Sequence, residues 1–198
     1  MTRRRLYLCA CVLAATMLFS ACAESSGPST TDDEGDGPPS ALALGDSKTV
    51  TQSDLFDPNT GDANIDYKAR VTLLKIEPGS KPDHSEFDQR EWTDEADVAG
   101  KPWVRLQFKI ANLGKWPIGT VDFTVRAIDS EGEQHSFDWQ ASVFKPDIFR
   151  SDFQPGDTQV GYTGIPVPAG TKLKKVQIEM SSKLIEWEVP ASASTVDG

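Results

Sequence analysis

Three features of this 198-residue chain predict an all-β fold, an antiparallel sandwich of seven to eight short strands. Apolar residues recur with a period of two, turn-forming residues separate the alternating runs, and no segment carries a sustained i, i+3, i+4 apolar pattern. Successive side chains of a strand point to opposite faces, so strict alternation buries one face and wets the other. Short strands without helical crossovers must pair antiparallel, and two such layers bury their apolar faces against each other.

A short first strand is expected near Lys48–Thr51, followed by one in which Ile65, Tyr67, Ala69, Val71 and Leu73 alternate with polar neighbours. Val104, Leu106, Phe108 and Ile110 form the next, then Val121, Phe123, Val125 and Ala127. Further strands are expected over Glu133–Gln140, Thr158–Ile165, Leu173–Met180 (Val176, Ile178 and Met180 inward) and Leu184–Val189. The turns agree. Asp129-Ser130-Glu131-Gly132 supplies a glycine for the positive φ of a tight reversal, and Pro155-Gly156-Asp157 suits a type II turn. Asn112-Leu113-Gly114, with Pro117 beyond, ends the Val104 strand with residues that tolerate left-handed geometry.

The N-terminus carries a different signal. Arg3, Arg4 and Arg5 precede an apolar run from Leu6 to Phe19, and Phe19-Ser20-Ala21-Cys22 offers a small-residue cleavage site. The run falls short of the roughly 20 apolar residues of a spanning helix. The segment resembles the lipobox of bacterial lipoproteins, with Phe19 where leucine is usual; Leu8-Cys9-Ala10-Cys11 also fits on paper but would leave too short an apolar core. The resemblance implies a signal peptide over 1–21, lipid on Cys22, and a protein held on the outer face of the cell membrane. Two or more acyl chains hold firmly where one binds marginally. Residues 22–43 read as a disordered acidic Gly/Pro/Ser linker, since 23–40 lack any large apolar residue. As a flexible coil this stretch spans on the order of 25 Å. The sandwich is assigned to 44–190 and a disordered tail to 191–198.

Composition excludes several functions. All three cysteines, Cys9, Cys11 and Cys22, lie in the signal or at its edge, so the domain is stabilised without an internal disulfide and must rely on apolar burial. Removing residues 1–21, with three arginines and no acid, takes the net charge from −10 to −13. Such a surface repels nucleic acid and anionic headgroups unless a local basic patch exists; Lys172, Lys174 and Lys175 are the candidate, read more simply as a solvated strand face.

The turn and strand punctuation carries a further resemblance. Asn-x-Gly with proline shortly after, Asp-Ser-x-Gly, and the run from Pro155 to Gly170 (Pro-Gly-Asp-x-x-x-Gly-x-x-x-Ile-Pro-Val-Pro-x-Gly) resemble the telokin-like, immunoglobulin-like domain of unknown function found in lipoproteins and secreted proteins of Gram-positive bacteria. That domain is similar in architecture to the mycobacterial immunoprotective extracellular antigen. The resemblance spans about Leu44–Val189 and implies an immunoglobulin-like sandwich outside the cell, without cofactor or reaction. One departure is the long acidic insertion at 78–100.

That insertion holds Asp83, His84, Glu86, Asp88, Glu91, Trp92, Asp94, Glu95 and Asp97. Long loops concentrate binding surfaces. Asp88, Glu91, Trp92, Asp94, Glu95 and Asp97, with Trp116 in a neighbouring turn, are therefore the candidate partner-binding residues; a solvated surface insertion is the competing account. Exposed Trp103, Trp116 or Trp92 would anchor a partner or stack on a sugar, whereas packed they would close the sandwich ends. Phe137, Trp139, Phe144, Phe149 and Phe153 read as a connection plugging the core.

Chemistry is harder to find. Neither the insertion nor 57–66 has EF-hand spacing. With only His84, His135 and Met180 beyond the signal, no transition-metal or copper set forms, and His135 reads as a satisfied or exposed strand residue. There is no G-x-S-x-G elbow, and no pair stands out among the many acids for glycoside hydrolysis. The expectation is a non-enzymatic module without metal or cofactor, binding an envelope protein or cell-wall component and no nucleic acid. A small-ligand or calcium-binding surface protein is the alternative, and an acid-using hydrolase the third reading.

Overall fold

The computed structural model describes residues 30–32, 41–56, 63–81, 101–136, 144–180 and 182–197. The strands are β1 (Thr30–Asp32), β2 (Ser47–Phe56), β3 (Ala63–Ser80), β4 (Trp103–Asn112), β5 (Phe123–Asp129), β6 (Gln134–Ser136), β7 (Thr158–Pro166), β8 (Leu173–Met180) and β9 (Lys183–Glu188). They form two layers, β1-β2-β3-β4-β7 and β6-β5-β8-β9. Apart from β1, which lies parallel to β2, every pairing within the layers is antiparallel. The predicted immunoglobulin-like sandwich is thus eight antiparallel strands in two four-stranded layers, with β1 added at one edge.

Alternation places the core where the sequence put it. Ala69, Val71 and Leu73 of β3 and Val104, Leu106, Phe108 and Ile110 of β4 are fully buried against Ala127, Val176, Ile178, Met180, Ile185 and Trp187 of the facing layer. Trp187 docks on Phe108 edge to face and donates its indole N–H to the Asp46 carbonyl at 3.1 Å, satisfying its one polar atom. The Phe149–Phe153 stretch plugs the core as expected, Phe153 being buried and meeting Phe123 at 5.6 Å between ring centroids. Phe137 and Trp139 lie outside the described residues.

The segment around Phe144 wraps the edge of β7. Phe144 rests on Gly164, where an added Cβ would lie 2.5 Å from its ring, and a Cβ added at Gly161 would lie 2.7 Å from Ile148 N and from the Pro146 carbonyl oxygen. Tyr162 N–H donates to Pro146 O, and Ile148 N–H donates to Tyr162 O. Residues 146–148 therefore satisfy backbone groups that an edge strand would otherwise leave open.

Three expectations are corrected. The tail at 191–198 is not disordered over its described length: a 3-10 turn spans Ala191–Ala193, Val196 is fully buried, and Leu173 and Gly170 donate to the Ser194 and Val196 carbonyls. Two buried apolar side chains, Ala193 and Val196, with a backbone ladder beside them hold a polar-looking segment. The stretch read as linker to residue 43 includes β1 and also Leu42, which exchanges backbone bonds with Glu186 and Glu188; a ladder of backbone groups needs no apolar side chain, so composition missed it. Trp103 takes the packed alternative of its two readings: it is buried, edge to face with Phe144. The strand expected from Val121 starts at Phe123, because a 3-10 turn over Thr120–Asp122, closed by the Asp122 carboxylate on Gly119 N–H, comes first.

Candidate functional site

Antiparallel pairing sorts the connections to two ends of the sandwich. At one end, β3 leaves and β4 returns with Ser80 opposite Trp103, so the stems of the acidic insertion emerge there. The β7–β8 connection, the C-terminal segment and the β5–β6 turn join them through backbone bonds: Val167 N–H to Pro102 O, Gly170 N–H to Val196 O, and Ser130 N–H to Lys172 O. Gly79, at positive φ, faces the backbone of Asp197 so closely that a Cβ would lie 3.2 Å from its carbonyl oxygen. Ser80 Oγ donates to Glu77 O, closing the stem.

The insertion residues Asp88, Glu91, Trp92, Asp94, Glu95 and Asp97 lie outside the described residues. Trp116 is described, 38 % exposed, in the turn after β4. That turn is at the far end of β4 from the insertion stems, about 30 Å away at the usual rise of a strand. The structure therefore does not bring Trp116 to the base of the insertion, although the sequence placed them together.

Asn112 builds the Trp116 turn. Its buried side chain donates from Nδ2 to the carbonyls of Trp116 (2.7 Å) and Phe153 (2.8 Å), and its Oδ1 accepts from Gly114 N–H at 2.9 Å. All of its polar atoms are used, which is what a buried amide requires.

Beside the insertion stems sits a group that sequence reasoning did not assemble. Asp129 Oδ1 accepts the N–H groups of Glu131 and Glu133 at 2.9 Å each, and His135 Nε2–H donates to Asp129 Oδ2 at 3.1 Å. The hydrogen bond from His135, helped by the two backbone donors, holds the Asp129 carboxyl below its usual range despite burial. Ligand atoms of Asp129, Glu133 and His135 lie within 4.8 Å of one another, a spacing a cation would accept. Both Asp129 oxygens are already engaged, however, and the arrangement works as a clasp on the β5–β6 turn. The signal was in the chain as Asp129 and His135 flanking a Gly-containing turn, and His135 is, as expected, a satisfied strand residue.

A shallow open depression of about 380 Å³ adjoins this clasp, between the β5–β6 turn and Lys174, Lys175 and Glu186. Lys175 bridges Glu186 at 2.7 Å, and this hydrogen bond holds the lysine above its usual range. The depression brings opposite charges together on an open surface.

Among the described residues these features define a β-sandwich of two packed sheets with its connections gathered at the two ends. Two solved structures are similar to it. A secreted protein of Mycobacterium tuberculosis, MPT63, aligns at 12 % identity and a TM-score of 0.46 over 83 % of this chain and all of its own. An uncharacterised β-sandwich protein of Clostridium difficile aligns at 14 % identity and 0.44 over 81 % and all of its own. No protein-family profile matches the chain, and no curated protein matches it in sequence.

Proposed function

We propose that this chain is a non-enzymatic recognition module of the bacterial envelope, anchored to the outer face of the membrane by lipid on Cys22, and that the acidic insertion at 78–100 engages an envelope protein or cell-wall component. The observation that carries this reading is how the insertion is mounted. Its stems pair as Ser80 with Trp103, rest on Val167 and the C-terminal segment, and rise from a core closed on both faces. A rigid frame holding a long, charged loop is the common arrangement for binding by loops. The signal sequence ending at Cys22 supports the location.

Crosslinking on intact cells tests it, comparing wild type, Cys22→Ala, and a chain in which residues 82–100 are replaced by a short Gly/Ser bridge that preserves the Ser80–Trp103 pair. A partner captured by wild type and lost without the insertion supports the reading. A folded deletion that keeps every partner overturns it, and a wild-type mature protein whose Cys22 carries no acyl chain by mass spectrometry overturns the anchor.

A further inference from the structure

The two outer faces of the sandwich differ in charge. On the β5-β8-β9 layer, Arg126 pairs with Glu179 at 2.8 Å and Lys175 with Glu186 at 2.7 Å, leaving that face balanced. On the other layer, the register that turns Ala69, Val71, Phe108 and Ile110 inward turns Lys68, Arg70 and Lys109 outward. Glu77, at the insertion end of this face, is held between Lys75 and Arg105. Lys68, Arg70 and Lys109 are exposed and carry no ion pair among the described residues; Arg70 Nε donates only to Thr49 Oγ1. A chain that is strongly acidic overall thus gathers three cations without an ion pair, among the described residues, at one corner far from the insertion stems.

The same corner collects exposed apolar surface. Val160, 45 % exposed, pairs directly with Lys109; Leu113, 42 % exposed, donates its N–H to the Lys68 carbonyl; and Trp116 is 38 % exposed in the same turn. Of the five exposed large apolar residues described, three are here. Asp122, Asp152 and Asp157 also lie at this end, each turned onto a backbone N–H, of Gly119, Thr120 and Gln154 respectively.

A soluble polyanion would be served by the cations alone. Cations ringed with a tryptophan and aliphatic side chains suit a surface that is anionic outside and apolar just beneath, the headgroup region of a bilayer. We propose that this corner, Lys68, Arg70, Lys109 and Val160 with the Leu113–Trp116 turn, docks on anionic phospholipid and turns the insertion end away from the bilayer. The surface binds lipid whether or not the chain is acylated, so it stands apart from the anchor assigned to Cys22.

The test uses the unlipidated chain from residue 22 onward, carrying Cys22→Ala, with phosphatidylcholine vesicles containing or lacking 30 mol % phosphatidylglycerol at low salt. Binding to the anionic vesicles, weakening as salt rises, is expected, with a blue shift of tryptophan emission absent in Trp116→Phe. Lys68→Glu/Lys109→Glu should weaken it at least about 25-fold, at roughly fivefold per lysine near an anionic surface, with an unchanged melting temperature. Absent vesicle binding overturns the proposal, as does binding that the double variant leaves intact. Equal binding of soluble polyphosphate without any Trp116 shift would assign the corner to a soluble polyanion and overturn the lipid.

Discussion

Asn112→Ala isolates one side chain that organises an entire turn. The buried amide serves three backbone groups, the carbonyls of Trp116 and Phe153 and the N–H of Gly114. Truncation strands all three. The Phe153 carbonyl is reached in a buried setting, where an unsatisfied group costs about 1–3 kcal/mol; the other two are part-buried, and water repairs most of their loss. The sum is about 3 kcal/mol, a large share of the roughly 5–15 kcal/mol that stabilises an ordinary domain. Urea denaturation followed by far-UV circular dichroism should show a lower midpoint with an unchanged slope, and melting should fall by about 6–12 °C. Asn112→Asp sharpens the test. It keeps an acceptor for Gly114 N–H but sets an oxygen against the Trp116 and Phe153 carbonyls, so it should destabilise at least as much as alanine. A loss below about 1 kcal/mol for Asn112→Ala, or wild-type stability for Asn112→Asp, would refute the hydrogen-bond argument.

Gly161→Ala should cost about 1–3 kcal/mol by overpacking, since its Cβ would lie 2.7 Å from Ile148 N and Pro146 O, backbone atoms with little room to move; a neutral effect on the melting temperature would mean that the 146–148 segment is not fixed there. The depressed carboxyl of Asp129 makes stability acid-sensitive. Its contribution is present above the unfolded value near pH 4 and is lost as pH falls through the lower folded value. Denaturation midpoints should therefore drop less steeply below pH 4 in Asp129→Asn than in wild type, and parallel curves would rule the clasp out as the cause. Replacing residues 82–100 should leave the melting transition cooperative, because the described core is built from the two sheets together with Ile118, Ile148, Phe153, Val167 and Val196, and near-UV circular dichroism would expose any collapse of packing.

The fold was legible because period-two alternation is a direct record of burial. Val104, Leu106, Phe108 and Ile110 announce an inward face that the structure buries without exception. What escaped was held by backbone. Thr30–Asp32 and the segment through Val196 join the sheets by main-chain bonds that leave little mark on composition.

The basic corner illustrates the other kind of illegibility. A scan for neighbouring lysines finds Lys172, Lys174 and Lys175, of which the structure commits Lys175 to Glu186. Lys68 and Arg70 sit two apart on one strand and Lys109 about forty residues later, and in sequence each is only the polar member of an alternating pair. The register that buries Ala69 beside Asn112 and Val71 beside Ile110 places all three on the opposite face. Alternation read from the apolar side gives the core; read from the polar side, strand by strand in register, it gives the charge of the outer face. That second reading needs the pairing partners, which a single sequence does not supply, and it is how a chain with net charge −10 brings three cations together on one outward face.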